Sequence, residues 1–159
     1  MQAILASVRL CVLAQSIAPA RKAFCVEPRC GRLIVTRLET LHTPLEVGQV
    51  QFAMARALEK VKHKAVICSD WRAVGIFSPA VADSILDMLN VTNHKVLRGA
   101  ILLNSDRATF NLQVERVLRD AGNPSRKCFC EKAKLIGWLS ESLTASENEE
   151  MERFLSDSP

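Results

Sequence analysis

Apolar residues in this chain fall into two alternating patterns: short continuous runs, and stripes spaced by three and four. Phe24 to Glu27 and Arg32 to Glu39 read as strands joined by P-R-C-G, with Pro28 and Gly31 supplying the turn chemistry. Thr43-Pro44-Leu45-Glu46 then opens a helix, with Thr43 as cap, proline in the first turn and Glu46 completing a capping box. Val47, Val50, Met54, Leu58 and Val61 follow as one apolar stripe. Ala65 to Ser69 is a third strand. Ser78-Pro79 opens a second helix that turns Val81, Ile85, Met88 and Leu89 inward. Leu97 to Leu103 is a fourth strand, apolar enough for burial on both sides. A third helix covers Arg107 to Asp120, with Phe110, Val114, Val117 and Leu118 on one face and Gly122 as its stop. Lys127 to Cys130 is a short last strand. Lys132 to Ser142 is a helix burying Leu135, Ile136 and Leu139. A final acidic helix starts near Ser146, where S-E-N-E offers a capping box.

Strands alternating with helices predict an α/β sandwich: a mixed, mainly parallel sheet behind an N-terminal antiparallel hairpin, with flanking helices and right-handed crossovers. Ligands of open α/β sheets sit past the carboxyl ends of the strands. Those ends are the loops 40–43, 70–78 and 104–107, each leading into a helix N-terminus whose free N–H groups favour anions. The candidate ligand- or partner-binding residues are therefore His42, Thr43, Asp70, Trp71, Arg72, Ser78, Ser105 and Arg107. Trp71 and Arg72 belong to residue types enriched at binding hot spots. The plainer alternative is that Asp70 pins its loop, Trp71 packs over the sheet edge and Arg72 pairs with an acid.

Composition narrows the function. At 159 residues the chain fits one domain able to bury its own core. The division is an N-terminal extension at 1–22, the domain at 23–143 and an acidic C-terminal helix or tail at 144–159. Aromatics make up 5% and Tyr is absent, which argues against a nucleic-acid surface built on stacking rings. Charge is uneven: ten basic residues against four acidic through Lys64, but six acidic against Arg153 alone from Ser140 onward. A basic front suits phosphates or acidic membranes, although solvated faces are the simpler reading. No run of about 18 apolar residues exists for a spanning helix. The stretch AILASVRLCVLAQSIAPA is faintly like a signal peptide, but it lacks an initial positive charge and Arg9 interrupts its apolar core. It reads better as an amphipathic extension packing on the domain or a partner, dispensable for folding.

The six cysteines, Cys11, Cys25, Cys30, Cys68, Cys128 and Cys130, show no C-x-x-C pair, and His42, His63 and His94 stand alone. Reduced structural thiols, no metal and no cofactor are expected. No G-x-S-x-G, G-x-G-x-x-G or G-x-x-x-x-G-K-[ST] occurs. No acidic pair follows the early strand, as a phospho-accepting receiver would need.

The segment D-W-R-A-V-G-I-F-S-P-A-V-A, Asp70 to Ala82, resembles the STAS (SpoIIAA-like, anti-sigma-factor-antagonist-like) pattern D-L-x-x-V-x-F-x-D-S-S-G-L. Asp70, Val74 and Ile76 match it. Ser78 stands where the family has its second Asp, Pro79 and Ala80 replace the two serines, and Val81 replaces the glycine. CFCEKAKLIGWL, Cys128 to Leu139, is similar to the family's F-x-x-x-x-x-A-x-x-W-L ending, with its alanine slot filled imperfectly. The resemblance spans Phe24 to Leu143. It implies a non-enzymatic regulatory protein–protein interaction module, bacterial and cytoplasmic. The family's phosphorylated serine aligns with Ala80, so the phosphoserine switch is missing. The expected partner is a protein, with a second copy of the chain also a candidate. The alternative is a carrier for a small anionic, lipid-like or nucleotide ligand at the strand ends.

Overall fold

The first hairpin shows how local chemistry starts the fold. In the computed structural model, which describes residues 23–157, β1 (Phe24–Pro28) runs antiparallel to β2 (Leu33–Leu38). The turn between them closes with Leu33 N–H donating to Cys30 O at 2.9 Å, and Gly31 sits at φ 54°, where a side chain would be strained. Three crossover units follow: α1 (Pro44–Glu59) with β3 (Ala65–Asp70), α2 (Pro79–Thr92) with β4 (Val96–Leu102), and α3 (Ala108–Asp120) with β5 (Arg126–Phe129). The chain ends in α4 (Lys132–Ser140) and α5 (Ala145–Ser156).

The five strands stand in chain order, β2 to β5 all parallel and β1 antiparallel at one edge. The expected mixed sheet with a leading hairpin is the one observed. Side-chain alternation divides it into two faces. Ile34, Leu38, Ile67 and Ile101 pack under α1, α2 and α3 with Val47, Val81, Ile85, Phe110 and Val114. Leu33, Val35, Val66, Cys68, Ala100 and Leu102 pack under α4 and α5 with Leu135, Leu139, Met151, Phe154 and Leu155. The acidic C-terminal segment is thus core cover: Met151, Phe154 and Leu155 are all buried.

All three crossover helices share one face and the strand order never reverses. The crevice that a doubly wound sheet opens at its switch point has no counterpart here. Element limits differ from expectation mainly at the end. The cap of α5 is Thr144 with Glu147, not Ser146 with Glu149. Glu147 prevails because it also accepts the Arg32 N–H, at 2.7 Å, beside the hairpin turn. α4 stops at Ser140, and Ile136 is only half-buried. The extension at 1–22 lies outside the described residues.

Candidate functional site

Asp70 closes β3 on the α4–α5 side, 5% exposed. Arg72 grips it bidentately, Nε to Oδ1 at 2.9 Å and Nη2 to Oδ2 at 2.8 Å, and adds its backbone N–H at 3.2 Å. This bond pushes the Arg72 pKa above its usual value, against the opposing effect of burial. Arg37, next door on β2, brings its Nε to 3.5 Å from Oδ2. Arg37 also donates Nη2 to Phe154 O at 3.0 Å and lies over that ring, 4.6 Å from its centroid. Both Asp70 oxygens are therefore engaged by guanidinium groups. The cleft beside them, about 310 Å³, is lined by Arg37, Leu38, Glu39, Asp70, Arg72, Ala73 and Asn104. Two cations face two carboxylates there, so it carries no net pull on an anion.

Trp71 does not share that surface. Its backbone N–H extends the ladder to Leu102 O at 2.9 Å, and alternation sends its side chain to the crossover face. There it is 5% exposed, edge-on to Phe77 at 6.0 Å, and Phe77 is edge-on to Phe110 at 5.1 Å. The loop after Trp71 is pinned by α3: Arg107 Nη1 donates to Val74 O at 2.8 Å and Ala73 O at 3.1 Å. Gln113 exchanges two bonds with the Phe77 backbone. Arg107 thus holds a loop together.

Two of the three helix N-termini are capped by the chain itself. Thr43 and Glu46 form the reciprocal box on α1, and Glu46 also accepts the His42 N–H. Those backbone N–H groups hold the Glu46 carboxyl below its usual range. Ser78 caps α2, accepting from Val81 N–H at 3.3 Å. Ser105 is exposed in a turn made by Asn104 and Asp106. The eight sequence candidates thus disperse into two caps, one two-residue clamp, one core ring and three loop positions.

Thiol chemistry finds little support. Burial pushes Cys68 up to about 12, and Cys25 and Cys128 up to about 11, so all three are neutral near pH 7. Among the described residues no three His, Cys, Asp or Glu side chains group as a metal would need, and no helix is long and apolar enough to cross a membrane.

What the sequence reading passed over is the outer face of α1. Leu45 is 74% exposed and Phe52 68%. With Phe24, Gly48, Gln49 and Ala53 they line a shallow, nearly apolar groove of about 540 Å³. Helical spacing carries the same face on to Arg56, Glu59 and Lys60, with Lys62 and Lys64 just beyond. None of these four cations makes an ion pair among the described residues. The signal was a second stripe in α1, offset from the core stripe.

No protein-family model matches this chain, and no curated protein matches it. The likeness to STAS domains stands on the two quoted segments alone.

Proposed function

We propose that this domain is a non-enzymatic interaction module of STAS type in a regulatory pathway, without the family's phosphoserine switch, and that it binds a protein partner through the outer face of α1. The observation that carries this is the pairing of Leu45 and Phe52, exposed on a well-capped helix, with Arg56 and Lys60 farther along it and Lys62 and Lys64 just past its end. Exposed large apolar side chains set beside a polar rim mark interaction sites. Burying either one against a partner is worth roughly 1.5–3 kcal/mol. The cations select the partner's chemistry: apolar anchors followed by carboxylates. Action by binding rather than catalysis is supported by the engaged Asp70 carboxylate and the neutral thiols.

The test is a reconstituted complex. A photocrosslinker at Gln49 identifies the neighbour, which is then purified and titrated against the full chain. A saturable complex lost in Phe52→Asp, weakened by Lys60→Glu and by salt, and kept in Val91→Asp supports the reading. Phe52→Asp itself alters stability by no more than about 0.5 kcal/mol, because the side chain is exposed. Sedimentation with anionic vesicles that depends on Phe52 places a membrane surface on this face instead. A dimer that depends on Phe52 places a second copy there. Either result overturns the proposal.

A further inference from the structure

Three half-buried arginines in this fold have a carboxylate: Arg37 and Arg72 share Asp70, and Arg98 meets Glu141 at 2.7 Å. Arg126, at the start of β5, has none among the described residues. Its Nε donates to Asn93 Oδ1 at 2.8 Å and its Nη2 to Thr92 Oγ1 at 2.8 Å, both neutral acceptors. Asn93 is held in turn by Ala121 O and Asn123, so the guanidinium is fixed in place. Burial pushes its pKa down to about 10, which leaves it charged at neutral pH. Its Nη1 lies over Gly99, where an added Cβ would stand 3.5 Å away, and makes no hydrogen bond to another described residue. A half-buried charge with no counter-ion is costly to the fold, and this one borders an open groove.

Arg126 stands between two spaces. On one side is an interior cavity of about 40 Å³ beneath α1, α2 and α3, walled by Leu38, Val50, Met54, Ile67 and Ile101 among others. Trp71 also lines it, and the Trp71 indole N–H is buried without a partner. On the other side is an open groove of about 550 Å³ between α3 and β5, where Arg119 and Lys127 outnumber Glu115. Leu118 and Arg126 line both spaces.

The unused hydrogen-bonding capacity at this place consists of donors, and its net charge is positive. A ligand must therefore bring acceptors, a negative charge and an apolar body. We propose that the groove and cavity form one binding site for a short aliphatic carboxylate, its charged end on Arg126 and its chain in the apolar cavity. The cavity holds roughly three waters' worth of volume, at about 10–15 Å³ each, which suits a chain of a few carbons and excludes a long acyl tail or a nucleotide. The cationic groove supplies the entry path. This site is separate from the outer face of α1, so either proposal stands or fails without the other.

The experiment titrates acetate, butyrate and octanoate into the full chain at constant ionic strength, with butan-1-ol and inorganic phosphate as controls. It reads the melting temperature and, in a Trp138→Phe variant, the emission of Trp71. Butyrate is expected to raise the melting temperature and shift Trp71 emission, both saturably. Butan-1-ol, which lacks the charge, should bind at least tenfold more weakly, octanoate should be rejected, and Arg126→Gln should abolish the response to butyrate. No saturable response to acetate or butyrate overturns the proposal. So does equal binding of butan-1-ol, which would mean an apolar void only, or equal binding of phosphate, which would mean an adventitious ion only. If Arg126→Gln does not fold, the wild-type comparison of butyrate, butan-1-ol and phosphate decides alone.

Discussion

The two faces of the sheet are covered by different means. On the crossover face, α1, α2 and α3 lie where their strands deliver them, and apolar packing does most of the holding. Polar links there are caps or join segments no more than 36 residues apart, such as Gln113 with Phe77 and Arg126 with Thr92. On the other face, α4 and α5 arrive from the far end of the chain. They are fastened by polar clamps: Glu147 to the Arg32 N–H across 115 residues, and Arg37 to Phe154 O across 117. Arg98 adds a bond to Trp138 O at 2.5 Å and its ion pair with Glu141. The difference teaches where directional bonds are needed. A crossover helix has its position set by short connections to two neighbouring strands. α4 and α5 are tied to the sheet at one end only, through the short link from β5 to α4, so they need groups that specify where they dock.

If that contrast is right, the clamp side should be the more sensitive to polar substitutions. The largest effect is expected from Asp70→Ala, which leaves Arg37 and Arg72 without their shared carboxylate and loosens the hold of Arg37 on α5. Breaking a buried pair this way should cost about 3 kcal/mol in denaturant unfolding. A loss under about 1 kcal/mol would erase the contrast between the faces. Next comes Glu147→Gln. An amide has one acceptor oxygen where the carboxylate offers two, so either Arg32 or Thr144 loses its partner, at about 2 kcal/mol near pH 7. Glu147 also sharpens the comparison through pH. Burial alone would raise its pKa, but the N–H bonds from Thr144 and Arg32 outweigh it and hold the folded value below the usual 4.5. Its stabilisation is therefore present above pH 4.5 and is lost as pH falls through the lowered folded value. Unfolding curves of wild type and variant should converge in that acid window, and curves that stay parallel would contradict the assignment. The smallest effect is local and on the crossover side. Ser78→Ala should cost about 1 kcal/mol, and Ser78→Asp should cost little because Asp caps well and suits the helix dipole. A neutral Ser78→Ala in thermal unfolding would mean that the observed cap contributes nothing.

The crossover units were legible in the sequence because each carries its own punctuation. Thr43-Pro44 with Glu46, and Ser78-Pro79, announce helices whose core stripes are regular. The start of α5 was not legible. T-A-S-E and S-E-N-E overlap at Thr144 to Glu149, and the choice between them is made by a backbone N–H at Arg32. Trp71 and Arg72 looked like one surface because they are adjacent. Adjacency in an extended segment means opposite faces, so Arg72 turns back to Asp70 while Trp71 enters the core. The α1 groove was missed because a helix was assigned one apolar stripe and has two. The isolation of Arg126 is a tertiary fact. Nothing in its neighbours along the chain says that no carboxylate will reach it.

The contact between Gly31 and Glu147 also bears on how the molecule is made. Any Cβ at residue 31 would collide with the Glu147 carboxylate, so the first turn and the last helix fit only as a bare backbone against a side chain. The hairpin leaves a ribosome before α4 and α5 do. Until those helices follow, the face bearing Leu33, Val35, Val66 and the Cys68 thiol has no lid. The nascent chain therefore carries an uncovered apolar sheet until α5 emerges, and that interval is when it is most exposed to misassociation and to chaperones.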